Sequence, residues 1–229
     1  WAGRAALGPR YGGERTGGVP ELPESLDPEV PQGSSEGLLA GLVHETLVAS
    51  GPDGVPAPGL ARSWASAASG REWTLRLAEG AAFHDGRPVT ATGVARSLRR
   101  FLRSGSPAAQ RFALTLEGGL AYRTRGSEQV AGLVTLDDTR LTIRLTEAVP
   151  LPLAPLSATA AAVTGASGAG AGPFAPTASV PGKSRLLTAF GAHLGGRPYL
   201  DQVQLLASPQ PQSLEAALQA GRVGLIPRI

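Results

Sequence analysis

Two short segments of the chain alternate between apolar and polar residues. The first runs from Trp73 to Leu77 and the second from Leu141 to Leu145, each with apolar side chains at every second position. A period of two is typical of a strand with one buried and one solvated face. Because the two apolar faces have the same phase, we expect both strands to lie in one antiparallel sheet over one core.

A helical period replaces this alternation after residue 90. Val94, Leu98 and Phe101 recur at helical spacing, while the arginines of the same stretch fall on other faces. The pattern predicts an amphipathic helix that packs by one apolar stripe and leaves Trp73 at least partly buried. Asp85-Gly86 precedes it and predicts a tight turn, because Asp bonds its own backbone and Gly tolerates a positive φ.

Two further segments have apolar residues at helical spacing. Glu36 to Ala49 carries a broad apolar face, which predicts a helix over that range. Leu214 to Ala220 predicts another, with Ser213 placed to cap its start and Gly221 placed to end it.

The remaining stretches are poor in periodic signals. Residues 1–35 are rich in Gly, Pro and Glu and are predicted to be irregular. Residues 157–184 are rich in Ala, Gly, Ser and Thr, which bury little side-chain volume, so we expect mobility there. Helices and strands together indicate an α+β fold.

Composition narrows the possible functions. The chain has 229 residues, 42% of them apolar, which is enough to form a core. It has no cysteine, so disulfides, thiolate metal ligands and a cysteine nucleophile are excluded. Because no run of eighteen apolar residues occurs, the sequence predicts no membrane span.

Positive charge is concentrated in the middle of the chain. Lys and Arg number 21 against 18 acidic residues, and thirteen of the arginines lie between Arg62 and Arg144. The arginines of the predicted helix are interpreted as a solvated face. Nucleic-acid binding would call for exposed aromatics among the basic residues or for a known module, and since neither is found, no nucleic-acid partner is predicted.

No catalytic constellation emerges from the motifs. His44-Glu45 lacks the second His, four residues on, of the zinc-protease helix, and His84-Asp85 is interpreted as part of a turn. The glycines between Gly168 and Gly172 are not followed by the Lys-Ser or Lys-Thr of a phosphate loop, and no serine lies in Gly-x-Ser-x-Gly. We therefore predict no enzyme, no cofactor and no metal site.

The stretch from Glu72 to Arg100 reads E-W-T-L-R-L-A-E-G-A-A-F-H-D-G-R-P-V-T-A-T-G-V-A-R-S-L-R-R. It resembles the W-T-F-x-L-x-x-G-x-x-F-H-D-G-x-P-x-T-A-x-D-V segment of the family 5 extracellular solute-binding proteins, which include the oligopeptide, dipeptide and nickel binding proteins of ABC importers. Six other matches occur in the family's order: Ser25-Leu26-Asp27-Pro28; Glu45-Thr46-Leu47-Val48; Pro58-Gly59-Leu60-Ala61 with Ser63-Trp64; Gly170-Ala171-Gly172-Pro173-Phe174; Gly196-Arg197-Pro198-Tyr199-Leu200-Asp201; and Ala216-Ala217-Leu218-Gln219-Ala220-Gly221.

The resemblance implies the first lobe of a type II periplasmic-binding-protein fold. In that arrangement residues 1–50 and 156–229 form a discontinuous core subdomain, and residues 51–155 form an inserted α+β subdomain rich in strands. The family usually has its first strand within residues 1–35. Full-length relatives continue into a second lobe, which is absent here, so the sequence is expected to be a fragment or a naturally short member.

The same resemblance implies a function in transport. It predicts the substrate-binding component of an ABC importer, with a peptide or another small solute as ligand and permease subunits as partners. The expected location is the periplasm or another extracytoplasmic part of the cell envelope. An alternative is a scaffold that docks a second lobe or another protein on its cleft face, bordered by residues 30–35 and 170–174.

The resemblance also implies ligand-binding residues. In oligopeptide-binding relatives the segment after the S-L-D-P motif lines the cleft and pairs with extended peptide, and here it supplies Gln32, Gly33 and Ser34. An ordinary solvated turn is the alternative interpretation. A cleft position that is aromatic in such relatives is Ala108 here, and one lobe supplies only half a pocket, so weak binding is expected.

Overall fold

The computed structural model describes residues 11–29 and 34–226, and its contacts divide the chain into two units. Unit 1 comprises Trp1–Glu24 and Pro173–Ile229, and unit 2 comprises Ser25–Gly172. These boundaries differ from the predicted ones after residues 50 and 155. Residues 25–50 and 156–172 join unit 2 because they hydrogen-bond to each other and to the segment between them. The predicted subdomains of the lobe stay a prediction.

Unit 1 is built on one sheet and one helix. Among the described residues, its elements are β1 (Glu14–Val19), β8 (Phe174–Val180), β9 (Ser184–Ala189), β10 (Gln202–Ala207) and α5 (Pro211–Gln219). The strand order in the sheet is β1-β10-β9-β8. Strand β1 runs parallel to β10, and the other neighbours are antiparallel.

Strand β1 corrects the prediction that residues 1–35 are irregular. Its sequence has low strand propensity because it contains Gly17 and Gly18, yet all six of its residues pair with β10. The two glycines admit close neighbours: a Cβ on Gly18 would lie 2.7 Å from the Leu214 side chain. The expectation from the family resemblance was therefore right where the local pattern was wrong.

For helix α5, the predicted cap at the start is wrong and the predicted ending is confirmed. The helix begins at Pro211, so Ser213 lies within its first turn and does not cap it. At the other end Gly221 has φ +68°, its N–H donates to Leu218, and the next N–H donates to Ala217. These two bonds form a Schellman ending, so the predicted role of Gly221 is confirmed.

Unit 2 contains an antiparallel sheet and a separate pair of strands. The described strands are β2 (Val48–Ser50), β3 (Pro56–Pro58), β4 (Ala61–Ser66), β5 (Glu72–Leu77), β6 (Leu133–Thr135) and β7 (Arg140–Arg144). The sheet has the order β4-β5-β7-β6, and β2 pairs with β3. Strands β5 and β7 are the two predicted strands, paired with Trp73 opposite Ile143 and Leu75 opposite Leu141. Trp73 is half-buried, as expected, and Leu75, Leu141 and Ile143 are fully buried.

Helices cover one side of this sheet. The described helices are α1 (Ser34–Val43), α2 (Ala91–Arg103), α3 (Pro107–Thr115) and α4 (Gly119–Arg123), with short 3₁₀ turns at Ala154–Ser157 and Thr159–Ala161. Helix α2 packs against β6, β7 and the next two helices, and buries Val94, Leu98 and Phe101 as predicted. Thr90 caps it by accepting a bond from the Gly93 N–H at 3.2 Å.

Helix α1 is shorter than predicted, and this is a correction. It ends at Val43, and the segment after it becomes strand β2. The backbone of Thr46 and Leu47 is instead bonded to Leu60 and Ala61 across the chain. Apolar residues at helical spacing were therefore compatible with two structures, and tertiary pairing decided between them.

The small-residue stretch is also a correction. Mobility was expected over residues 157–184, but Ala161, Val163 and Ala171 are 2% exposed or less. Val163 donates to the Glu45 carbonyl at 2.9 Å. Small side chains here allow close backbone packing rather than motion.

Candidate functional site

The sequence-predicted ligand segment lies between two stretches that unit 2 holds in place. Gln32 and Gly33 fall outside the described residues, and Ser34 is the first residue of α1. On the other side, the described stretch that precedes Gln32 ends at Glu29. The site is therefore defined by what fixes residues 25–29 on one side and α1 on the other.

His44 fixes the first of these stretches to the end of α1. Its side chain is 5% exposed, and Nε2 lies 2.7 Å from the carbonyl oxygen of Leu26. Since a carbonyl only accepts, Nε2 carries the proton and Nδ1 is bare. Nδ1 is buried and has no hydrogen-bond partner within the described part of the chain. Burial lowers the pKa of His44, and His84 lowers it further, against the opposing effect of the Leu26 carbonyl.

Arg100 fixes the same stretch to α2. One terminal nitrogen lies 3.0 Å from both carboxylate oxygens of Asp27, and Nε lies 3.0 Å from Glu29. The other terminal nitrogen donates to the Thr164 hydroxyl at 2.8 Å. Burial raises the pKa of Glu29, although the charge of Arg100 acts against it. One guanidinium thus joins three separate chain segments, as its planar set of donors allows.

Thr164 is held from a second side by α2. Its N–H donates to Ser97 Oγ at 3.1 Å, and Arg96 donates to its carbonyl at 3.1 Å. Ser97 and Thr164 are both 3% exposed. These buried bonds make the Thr164 hydroxyl a fixed partner for Arg100.

Two glycines of the Gly170-Ala171-Gly172 motif support the end of α1. The N–H of Gly172 donates to the Val43 carbonyl at 2.9 Å, and a Cβ on Gly170 would overlap that carbonyl oxygen. His84 completes the contact, with its N–H on the Gly170 carbonyl at 2.8 Å and Nε2 3.0 Å from the Gly172 carbonyl. Glycine is required here by close backbone approach.

Other positions singled out in the sequence have different surroundings. Ala108 is 7% exposed in the first turn of α3, where Ser106 accepts a bond from its N–H at 3.2 Å, so it offers no surface for stacking. Ala171, expected to border an open cleft face, is 2% exposed. That expectation is corrected, because the glycines on either side draw Ala171 into unit 2.

Within ranges 11–29 and 34–226, no group of three or more His, Asp or Glu side chains is arranged to hold a metal ion. Over the same ranges, no helix is long and apolar enough to cross a membrane.

The pH dependence of unfolding should report on His44. Because burial lowers its folded pKa below the unfolded value near 6.5, stability is complete above about pH 6.5 and falls as the pH decreases. The loss is at most about 1.4 kcal/mol per pH unit. Urea unfolding at about pH 7.5 and pH 5.5 should show a smaller difference between the two pH values in His44→Gln than in the parent. Equal differences in both proteins would mean that His44 does not titrate as described.

Comparison with a family profile identifies related sequences. The profile described as "Bacterial extracellular solute-binding proteins, family 5 Middle" matches residues 55–229. The periplasmic oligopeptide-binding protein OppA of Escherichia coli K12 is 33% identical over 131 residues, covering 56% of this chain and 24% of the relative. The uncharacterized protein YhjP of Bacillus subtilis 168 is 29% identical over 194 residues, covering 84% of this chain and 32% of the relative.

Solved structures share the fold. The murein tripeptide binding protein MppA of Escherichia coli superposes with a TM-score of 0.82 at 23% identity, covering 96% of this chain and 46% of that chain. OppA of Haemophilus influenzae in complex with the peptide RPPGFSPFR gives 0.81 at 20% identity, covering 92% and 45%. The chain therefore spans less than half of these structures, and they place its α+β fold among the periplasmic binding proteins.

Proposed function

Because the chain belongs to the family 5 bacterial extracellular solute-binding proteins, we propose that it captures peptides for an ABC importer. The curated relative OppA is an oligopeptide-binding protein by name, which supports peptides as the ligand class. The proposal includes permease subunits as partners and the extracytoplasmic side of the envelope as the location. It also includes a second wall for the pocket, since the chain spans 44–46% of several matched structures.

The observation that carries this proposal is the fixed position of both ends of the candidate ligand segment. His44 holds Leu26, and Arg100 holds Asp27 and Glu29. On the far side, Ser34 opens α1, whose last residue is bonded to Gly172. Flanking residues that are already ordered lose little further conformational entropy when a ligand binds beside them.

The proposed mode of recognition uses the main chain of Gln32, Gly33 and Ser34. An extended peptide pairs with backbone N–H and C=O groups, so affinity does not depend on the peptide's own side chains. Side-chain specificity requires further walls, and Ala108 contributes no aromatic surface to one. The chain by itself should therefore bind peptides weakly and with little sequence preference.

Removal of one backbone donor tests this mode. Gln32→Pro deletes an N–H that Gln32→Ala keeps, so the pair separates a backbone bond from a side-chain contact. We expect a mixed tripeptide library to bind with dissociation constants above the micromolar range, measured by NMR titration. Gln32→Pro should weaken that binding by up to about tenfold, while Gln32→Ala should leave it nearly unchanged.

Three outcomes contradict the proposal. Submicromolar binding by the chain alone would show a complete pocket, and equal effects of the two substitutions would show that backbone pairing at residue 32 is not used. Shift changes confined to residues far from 25–45 would place the peptide elsewhere. Circular dichroism of both variants excludes unfolding as the cause of any loss.

A further inference from the structure

Helix α2 presents a face whose charged residues are all arginine. Residues three or four apart lie on one face of a helix, and no acidic residue occurs between Ala91 and Arg103. The opposite face is apolar and buried in unit 2. The exposed side therefore carries four arginines: Arg96, Arg99, Arg100 and Arg103.

About half of the formal charge of these four arginines remains after the paired acidic groups are counted. Arg100 forms ion pairs with two acidic groups, Asp27 and Glu29. In the described parts of the chain, Arg99 and Arg103 form no ion pair. From residue 90 to residue 125 the sequence has seven arginines and a single acidic residue, Glu117. A local excess of this size attracts anions over several ångströms of solution.

Helix α4 adds a further arginine to this face and restrains it. One terminal nitrogen of Arg123 donates to the carbonyls of Leu102 and Ser104, at 2.6 and 2.7 Å. The Arg103 guanidinium lies 4.1 Å above the centre of the Tyr122 ring. Because these contacts already hold both guanidinium groups, binding a partner costs them less side-chain entropy.

An exposed leucine adjoins the arginines. Leu120 lies one turn before Arg123 on α4 and is 50% exposed. An apolar side chain beside basic ones is the pairing found where helices lie on lipid, with the apolar group below the headgroups and the cations among the phosphates. A nucleic-acid backbone or an acidic chain without apolar side chains offers a solvent-facing leucine no such environment.

We infer that this arginine face, Arg96, Arg99 and Arg103 of α2 with Arg123 and Leu120 of α4, docks on an anionic phospholipid bilayer. A single-stranded nucleic acid would need exposed rings for stacking, and Tyr122 is 7% exposed beneath Arg103. Docking here would keep the protein at a membrane surface independently of which solute it carries.

Vesicle sedimentation tests the inference. The full chain should sediment with vesicles of phosphatidylglycerol and phosphatidylcholine in equal parts, and not with phosphatidylcholine alone. Each arginine near such a surface contributes about fivefold to binding, so Arg99→Gln with Arg103→Gln should weaken it about twenty-five-fold. Raising the salt from about 25 mM to about 500 mM should abolish binding, because the charges are exposed.

Two controls distinguish the bilayer from other occupants. Arg62→Gln with Arg222→Gln removes the same charge from exposed positions on other elements and should change vesicle binding little. Leu120→Ser should weaken binding to vesicles but leave binding to polyglutamate unchanged. Equal losses in the two arginine pairs would overturn the inference in favour of net charge alone. Tighter binding to polyglutamate than to vesicles at one salt concentration would overturn it in favour of an acidic chain.

Discussion

Replacing Gly170 by alanine should lower the free energy of unfolding by more than about 3 kcal/mol or prevent folding. The new methyl group would overlap the carbonyl oxygen of Val43, and that oxygen belongs to backbone already bonded to Gly172. Neither group is a flexible side chain, so the overlap is relieved only by moving the end of α1. Urea unfolding measures the loss, and two of the three tryptophans, Trp64 and Trp73, make the fluorescence sensitive to unit 2.

A matched substitution in α1 should have the opposite sign. Gly41 is exposed on the same helix, and a Cβ there meets nothing within 4 Å. Gly41→Ala should therefore raise the free energy of unfolding by about 0.5–1 kcal/mol through helix propensity. If Gly170→Ala and Gly41→Ala had similar effects, the contact between Gly170 and Val43 would not hold the helix end.

Leu98→Ala should cost about 2–5 kcal/mol of unfolding free energy. Leu98 is completely buried on the inner face of α2, where the helix packs against β6 and β7. The substitution removes apolar contacts and leaves a cavity that the surrounding sheet and helices fill only in part. The same urea titration measures the loss.

Leu114→Ala is the control for Leu98→Ala. Leu114 lies on α3 in the same unit, but 58% of its surface is exposed. Its truncation should cost less than about 1 kcal/mol, since little apolar surface is withdrawn from water there. Comparable costs at the two positions would show that the stripe of Val94, Leu98 and Phe101 is not the core of unit 2.

Sequence patterns predicted the elements that depend on local periodicity and failed where contacts distant in sequence decide the structure. Strand β5 and helix α2 were predicted because their periods are local and agree with their burial. Residues 44–49 were mispredicted because Leu47 fits a helical stripe as well as a buried turn before β2. The carbonyls of Thr46 and Leu47 accept bonds from the N–H groups of Leu60 and Ala61, a pairing that no local pattern records.

In the candidate site, too, the local motifs were predicted and their distant partners were not. The Ser25-Leu26-Asp27-Pro28 motif was noticed, and so were the glycines at positions 170 and 172. Their partners were not, because Asp27 lies 73 residues from Arg100 and Leu26 lies 18 from His44. Arg100 was interpreted as part of a solvated face because one sequence shows no sign of which arginine meets an acid. The Gly-Ala-Gly pattern of residues 170–172 was the available sequence signal for close backbone packing there.

The contacts that hold the candidate ligand segment can form only late in the synthesis of the chain. Leu26 and Asp27 leave the ribosome early, whereas Thr164 and Gly172, which hold their partners Arg100 and Val43-His44 in place, leave much later. At ordinary rates of synthesis this delay is on the order of ten seconds. The delay is longer still between the synthesis of strand β1 and that of β10, its parallel neighbour. During that interval the early segments lack these partners, and unit 2 completes its contacts only after Gly172 has been made.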